Sequence, residues 1–156
     1  MTNFNKVINK FREESFSERD KGFRFERLIQ TYLKTTTIYA SRFKEVWLWS
    51  EFPYRQQFGW TDVGIDLVAH TYEGGYWAVQ CKCYTADTYI NKPEVDSFIA
   101  TSGRTFTTNE GAVVGFEERL WISTTNKWSS TAEMTIQNQA FDSMLIELKT
   151  YISENL

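Results

Sequence analysis

Residues Gly64–Tyr84 read GIDLVAHTYEGGYWAVQCKCY. Residues 65–70 and 76–83 are rich in β-branched, aromatic and small apolar types, the composition of strands. Between them, Glu73-Gly74-Gly75 supplies glycines able to take the positive φ of a tight hairpin turn. Two antiparallel strands are expected, and alternation assigns their faces. Asp66, Val68 and His70 fall on one side of the first strand, with Ile65, Leu67 and Ala69 on the other. Tyr76, Ala78, Gln80 and Lys82 share a face of the second strand, opposite Trp77, Val79, Cys81 and Cys83. Closing the pair near Gly74-Gly75 brings Asp66 alongside Gln80 and Lys82. A carboxylate, an amide oxygen and an ammonium then converge on one patch of sheet.

Upstream, Gly22–Lys34 (GFRFERLIQTYLK) carries Phe25, Leu28, Ile29, Tyr32 and Leu33 in one apolar stripe at helical spacing. Ser17 or Asp20 can cap it. Glu26 lies beside the stripe with Gln30 following at i+4, a position typical of a boundary charge in contact with water. Residues 1–16 read as a short helix or a loose lead-in. Glu45–Phe52 alternates as a strand, closed by Pro53. Residues 54–64 read as a loop. Asp62 stands at its end, four residues before Asp66, where an aspartate either bears function or makes a turn.

Downstream, residues 85–92 read as loop. Pro93 suits the first turn of a helix running to Ser102, with Gly103 after it. Residues 104–117 show no readable period. Leu120–Thr124 is a short strand, Ser130 to Ala140 a helix, and Met144–Leu148 a last strand or helix. Helix, strand, two hairpin strands, helix, strand, helix is the order of an α/β protein. The expected architecture is a three-layer sandwich, a central mixed sheet flanked by helices.

The 156 residues, 42% hydrophobic and 17% aromatic, suffice for one domain with a real core. No apolar run approaches the ~20 residues that span a bilayer, and the N-terminus has no apolar signal core; a cytoplasmic location is expected. Cys81, Cys83 and the single His70 are too few for a closed zinc site, and two small buried strand residues is the plainer reading of the cysteines. The net charge of −3 hides an asymmetry: residues 1–44 hold ten Lys or Arg against five acids, the remainder seven against fifteen. That permits a basic patch beside an acidic, metal-ready region, or simply a solvated helix face.

Mg²⁺ prefers hard oxygen ligands, which a carboxylate and an amide or carbonyl oxygen on adjacent strands provide. A lysine on the same face can orient an attacking water and neutralise charge on a phosphate. This is the equipment of phosphodiester hydrolysis, although Asp, thirteen residues, Gln-x-Lys also occurs among surface polar residues of many hairpins.

The wider sequence is more specific. GFRFERLIQTYLK, GWTDVGIDLVAH, YWAVQCKCY, PEVDSFIATSG and LWISTTNKW, in that order, resemble the PD-(D/E)xK restriction-endonuclease-like superfamily. The match is to its Mrr-like branch, in which glutamine replaces the acid before the lysine. Within that branch the chain is similar to the N-terminal nuclease domain of single-polypeptide, ATP-driven (type ISP) restriction-modification enzymes and related predicted helicases. The resemblance covers most of residues 20–140.

It implies that Asp66 is the main metal ligand and that Gln80 replaces the second acid. The Cys81 backbone carbonyl completes the metal contacts, Lys82 is the catalytic lysine, and Glu26 on the first helix assists at the metal. Asp62 is a further candidate acid. The implied protein is a Mg²⁺-dependent DNA endonuclease, with Mn²⁺ able to substitute, acting on double-stranded DNA. Residues 1–156 are then one nuclease domain of a longer bacterial polypeptide carrying motor, methyltransferase and target-recognition domains. Because Gln80 brings no charge, the alternative is a DNA-binding module of the same fold with weak or no catalysis.

Overall fold

The computed structural model describes residues 3–59, 64–85 and 87–155. In chain order these form α1 (Asn3–Glu14), α2 (Glu18–Thr35), α3 (Thr37–Ala40), β1 (Phe43–Leu48), β2 (Leu67–Thr71), β3 (Tyr76–Lys82), α4 (Lys92–Ser102), β4 (Phe106–Thr107), β5 (Val113–Val114), β6 (Phe116–Ser123), α5 (Ser130–Ile136), β7 (Phe141–Met144) and α6 (Ile146–Asn155). Five strands form one sheet in the order β1-β2-β3-β6-β7. The first three pair antiparallel; β3, β6 and β7 run parallel. The expected mixed sheet is present.

The hairpin closes as its glycines require. Gly74 has φ +102°, Thr71 N–H donates to the Gly75 carbonyl at 2.8 Å, and Gly75 N–H donates to Thr71 Oγ1 at 2.9 Å. Leu67 faces Val79 and Val68 faces Ala78 across the ladder. The β3–α4–β6 crossover then places β6 parallel to β3, with Gln80 beside Trp121 and Lys82 beside Ser123.

Two cores sandwich the sheet. On one face, Leu67, Ala69, Trp77, Val79 and Cys81 pack beneath α1, α2 and α6. Phe25, Ile29 and Leu33 of α2 are fully buried, each stabilising the fold by roughly 1.5–3 kcal/mol. On the other, Val68, Tyr76, Ala78 and Trp121 pack against Val95 and Phe98 of α4 and Ala132 of α5. Helices cover both faces, giving three layers.

Of the two candidate caps of α2, Ser17 is the N-cap and Asp20 lies inside the first turn. Ser17 Oγ accepts from Asp20 N–H at 3.0 Å, and Asp20 Oδ2 accepts from Phe16 N–H at 3.0 Å, so the helix starts four residues earlier than the Gly22 expected. Asn91 caps α4 by accepting from Glu94 N–H at 3.2 Å, with proline in the first turn and Gly103 after the end.

Other boundaries differ from expectation. β1 ends at Leu48 rather than Phe52, because Glu51 folds back to accept from Leu48 N–H and the chain makes a 3₁₀ turn over Trp49–Glu51. Ile65 precedes the ladder and packs with Val68, not on the face of Leu67 and Ala69, so alternation holds only from Leu67 onward. The unread segment forms the β4–β5 ribbon and the start of β6. α5 stops at Ile136, and the tail supplies both a strand and a helix.

Candidate active site

The site lies where β2 and β3 approach the ends of β1 and α4. Asp66 sits immediately before β2, and three bonds fix its backbone and carboxylate. Its N–H donates to Val79 O at 2.9 Å, its carbonyl accepts from Trp49 N–H at 2.8 Å, and Oδ2 accepts from Cys81 N–H at 2.8 Å. The last bond carries the carboxylate across the hairpin to the middle residue of the Gln80-Cys81-Lys82 tripeptide.

Gln80 is 4% exposed, and its Oε1 has no hydrogen-bond partner among the described residues. A buried acceptor left unsatisfied costs roughly 1–3 kcal/mol, and such groups call for a bound water or ion. The indole N–H of Trp121, the ladder neighbour of Gln80, is likewise buried and unpaired, so a bridging water between the two is the competing use of that oxygen. Cys81 is buried, and burial pushes its thiol well above the usual range; the Asp66 and Glu26 carboxylates add to the rise and Lys82 opposes it. The thiol stays neutral and both acids are within electrostatic reach of it.

Glu26 projects from α2 into an open groove of about 1120 Å³ that is also lined by Asp66, Arg19, Arg55 and Trp49. The helix acid and the hairpin acid therefore share one depression, in which Gln80 and Lys82 take no part. Gln30, one turn on from Glu26, is structural: its Nε2 donates to Val46 O at 3.0 Å and to Glu51 Oε1 at 2.9 Å.

Lys82 ends β3 with its side chain one-third exposed, and its Nζ lies 4.0 Å from Glu94 Oε1 of α4. Glu94 Oε2 accepts from the Tyr84 hydroxyl at 2.6 Å. Glu94 was not identifiable in sequence as the partner of Lys82, nor Tyr84 as the partner of Glu94. The available signals were the shared parity of Lys82 and Tyr84 along the strand and an acid in the first turn of a proline-started helix. Asp62 lies outside the described residues.

Among the described residues, no three His, Cys, Asp or Glu side chains converge as a metal-binding group. A cation here would be held by fewer charged groups. The groove offers the Asp66 and Glu26 carboxylates and main-chain carbonyls, while the buried Gln80 amide oxygen lies outside its lining. This hard, all-oxygen set with few protein ligands suits Mg²⁺, which keeps several waters.

Among the described residues, no helix is long and apolar enough to cross a membrane. No curated protein matches the chain. The solved structure of the ATP-dependent Type ISP restriction-modification enzyme LlaBIII bound to DNA matches with a TM-score of 0.67 and 28% sequence identity. The match covers 96% of this chain and 8% of that one. This chain thus spans a small part of that enzyme's length, and its fold is the restriction-endonuclease-like one. The family Mrr_cat_2, described as restriction endonuclease, matches residues 34–155, a range that holds Asp66, Gln80, Lys82 and Glu94 but not Glu26. The chain belongs to that family of restriction endonucleases.

Proposed function

We propose that this chain is a Mg²⁺-dependent DNA endonuclease domain, the cleavage module of a bacterial restriction-modification enzyme. The carrying observation is the Asp66 carboxylate bonded to the Cys81 amide, which anchors an acid at the Gln80-Cys81-Lys82 strand end. Asp66, Gln80 Oε1 and the Cys81 carbonyl would hold the cation, with Glu26 assisting from α2; Mn²⁺ can substitute. When bound, the cation supplies charge neutralisation at the scissile phosphate. Lys82 donates hydrogen bonds to the attacking water or the phosphate oxygens, where negative charge builds. Asp66 is held rigid, so the acid requires little reorganisation as charge develops.

The partner is double-stranded DNA. The likeness to a small part of a DNA-bound, ATP-dependent enzyme supports a longer polypeptide in which motor, methyltransferase and target-recognition domains choose the site. Residues 1–156 then act as one cytoplasmic domain, and Asp62 is an additional candidate acid.

Nicking of supercoiled plasmid in Mg²⁺ or Mn²⁺, compared among wild type, Asp66→Ala and Lys82→Ala, tests this. Metal-dependent nicking lost in both variants is expected. Nicking that survives both substitutions refutes the assignment. The second reading, a DNA-binding module with weak catalysis, is favoured by the uncharged Gln80 and the sparse acid set. It predicts DNA affinity at low salt without metal-dependent nicking.

A further inference from the structure

Glu94 is the one ion-pair partner of Lys82 among the described residues, and it comes from a different element. With 4.0 Å between Nζ and Oε1 there is no hydrogen bond. Both side chains are about a third exposed, at 33% and 29%. A pair of this kind contributes little to stability.

The carboxylate itself is firmly held. Glu94 N–H is capped by Asn91, and Oε2 accepts from the Tyr84 hydroxyl at 2.6 Å. Tyr84 is tied down in turn. Its N–H donates to Thr124 Oγ1 at 2.9 Å, and its carbonyl accepts from Arg12 Nε at 3.0 Å and Nη2 at 2.6 Å. Burial, and then the bond to Glu94, push the Tyr84 phenol far above its ordinary value of 10, so it remains a donor. An anchored chain of contacts from α1 through the β3 terminus to α4 ends on a loosely held ammonium.

We propose that Glu94 is a positioning residue for Lys82, with Tyr84 turning the Glu94 carboxylate so that Oε1 faces the ammonium. This rests on the hydrolytic reading above. Gln80, two residues before Lys82, offers it no anion, and a lysine on a four-carbon stem samples many orientations. A carboxylate at 4.0 Å confines the ammonium while leaving its three N–H donors available to water and phosphate.

The test uses the 156-residue chain. ¹³C relaxation of the Lys82 ε-methylene is measured in wild type, Glu94→Gln, Glu94→Asp and Tyr84→Phe, alongside plasmid nicking. Glu94→Gln keeps an acceptor for the Tyr84 hydroxyl and so isolates the charge. Lys82 is expected to become more mobile in Glu94→Gln and Tyr84→Phe, with partial recovery in Glu94→Asp. The kcat for nicking falls roughly ten- to a hundred-fold in Glu94→Gln, while KM for DNA is unchanged.

Lys82 motion that does not change in folded Glu94→Gln overturns the proposal, whatever the melting temperature does. The relaxation arm decides the proposal even if wild type does not nick. Nicking that persists in Lys82→Ala sinks the hydrolytic reading instead, leaving the two failures distinguishable.

Discussion

Replacing Asp66 separates its structural bond from its chemistry. Its Oδ2 accepts the N–H of Cys81, a buried residue of the central β3 strand, at 2.8 Å. Alanine leaves that N–H without its acceptor, at a cost of roughly 1–3 kcal/mol. Relief of repulsion from Glu26, which lines the same groove, offsets part of this. The offset is small because the groove is open to water, where a charge pair is worth only about 1 kcal/mol even at 4 Å. Asparagine presents an amide oxygen in the same place and is expected to stay within about 1 kcal/mol of wild type. Each kcal/mol corresponds to roughly 2–4 °C in Tm for a domain near this size. Urea unfolding at pH 7 of wild type, Asp66→Asn and Asp66→Ala measures the difference, and both variants are expected to lose metal-dependent nicking. If Asp66→Ala unfolds at the same urea concentration as Asp66→Asn, the Asp66–Cys81 bond does not support the hairpin and the reasoning fails.

Gln80→Glu places a carboxylate at a position only 4% exposed. It is expected to lower Tm without divalent cation and to show a larger Tm gain on adding Mn²⁺ than wild type, as a new charged ligand beside Asp66 should; equal gains would contradict a cation site there. Glu51 is held below its ordinary value of 4.5 chiefly by the Leu48 N–H, with Gln30, Lys34 and Arg27 adding and burial opposing. Because the folded value is depressed, the stability it contributes is present above the unfolded value and is lost as pH falls through the folded one. Glu51→Gln is therefore expected to flatten the acid limb of a stability-against-pH curve below about pH 4.5, and an unchanged slope would refute the linkage.

The hairpin and its flanking helices were legible because their signals are local. Gly74 needs a positive φ, Pro93 starts α4, and the stripe on α2 has a single period. What could not be read depends on distant partners. β1 is cut short by a carboxylate that folds back while being held by Gln30 from α2. The β4–β5 ribbon has strands of two residues and takes its support from Gln57, which exchanges bonds of 2.8 and 2.9 Å with the Thr107 backbone. In the site, the parity of Gln80 and Lys82 follows from alternation along β3, whereas Asp66 precedes the regular ladder and is placed by its bond to the Cys81 N–H. Glu94 does not follow from alternation, because only the β3–α4–β6 crossover decides which face of α4 meets the end of β3.

In the proposed function, the Asp66 carboxylate and the Lys82 ammonium form one hydrolytic site. Asp66→Asn tests it most directly, since the fold and the Cys81 bond are expected to survive and only the charge is removed. The measurement is the rate of Mn²⁺-dependent nicking of supercoiled plasmid by folded wild type and folded Asp66→Asn. Nicking by wild type, abolished by chelator, and none above background from the variant are expected. Nicking by Asp66→Asn at the wild-type rate would contradict that assignment.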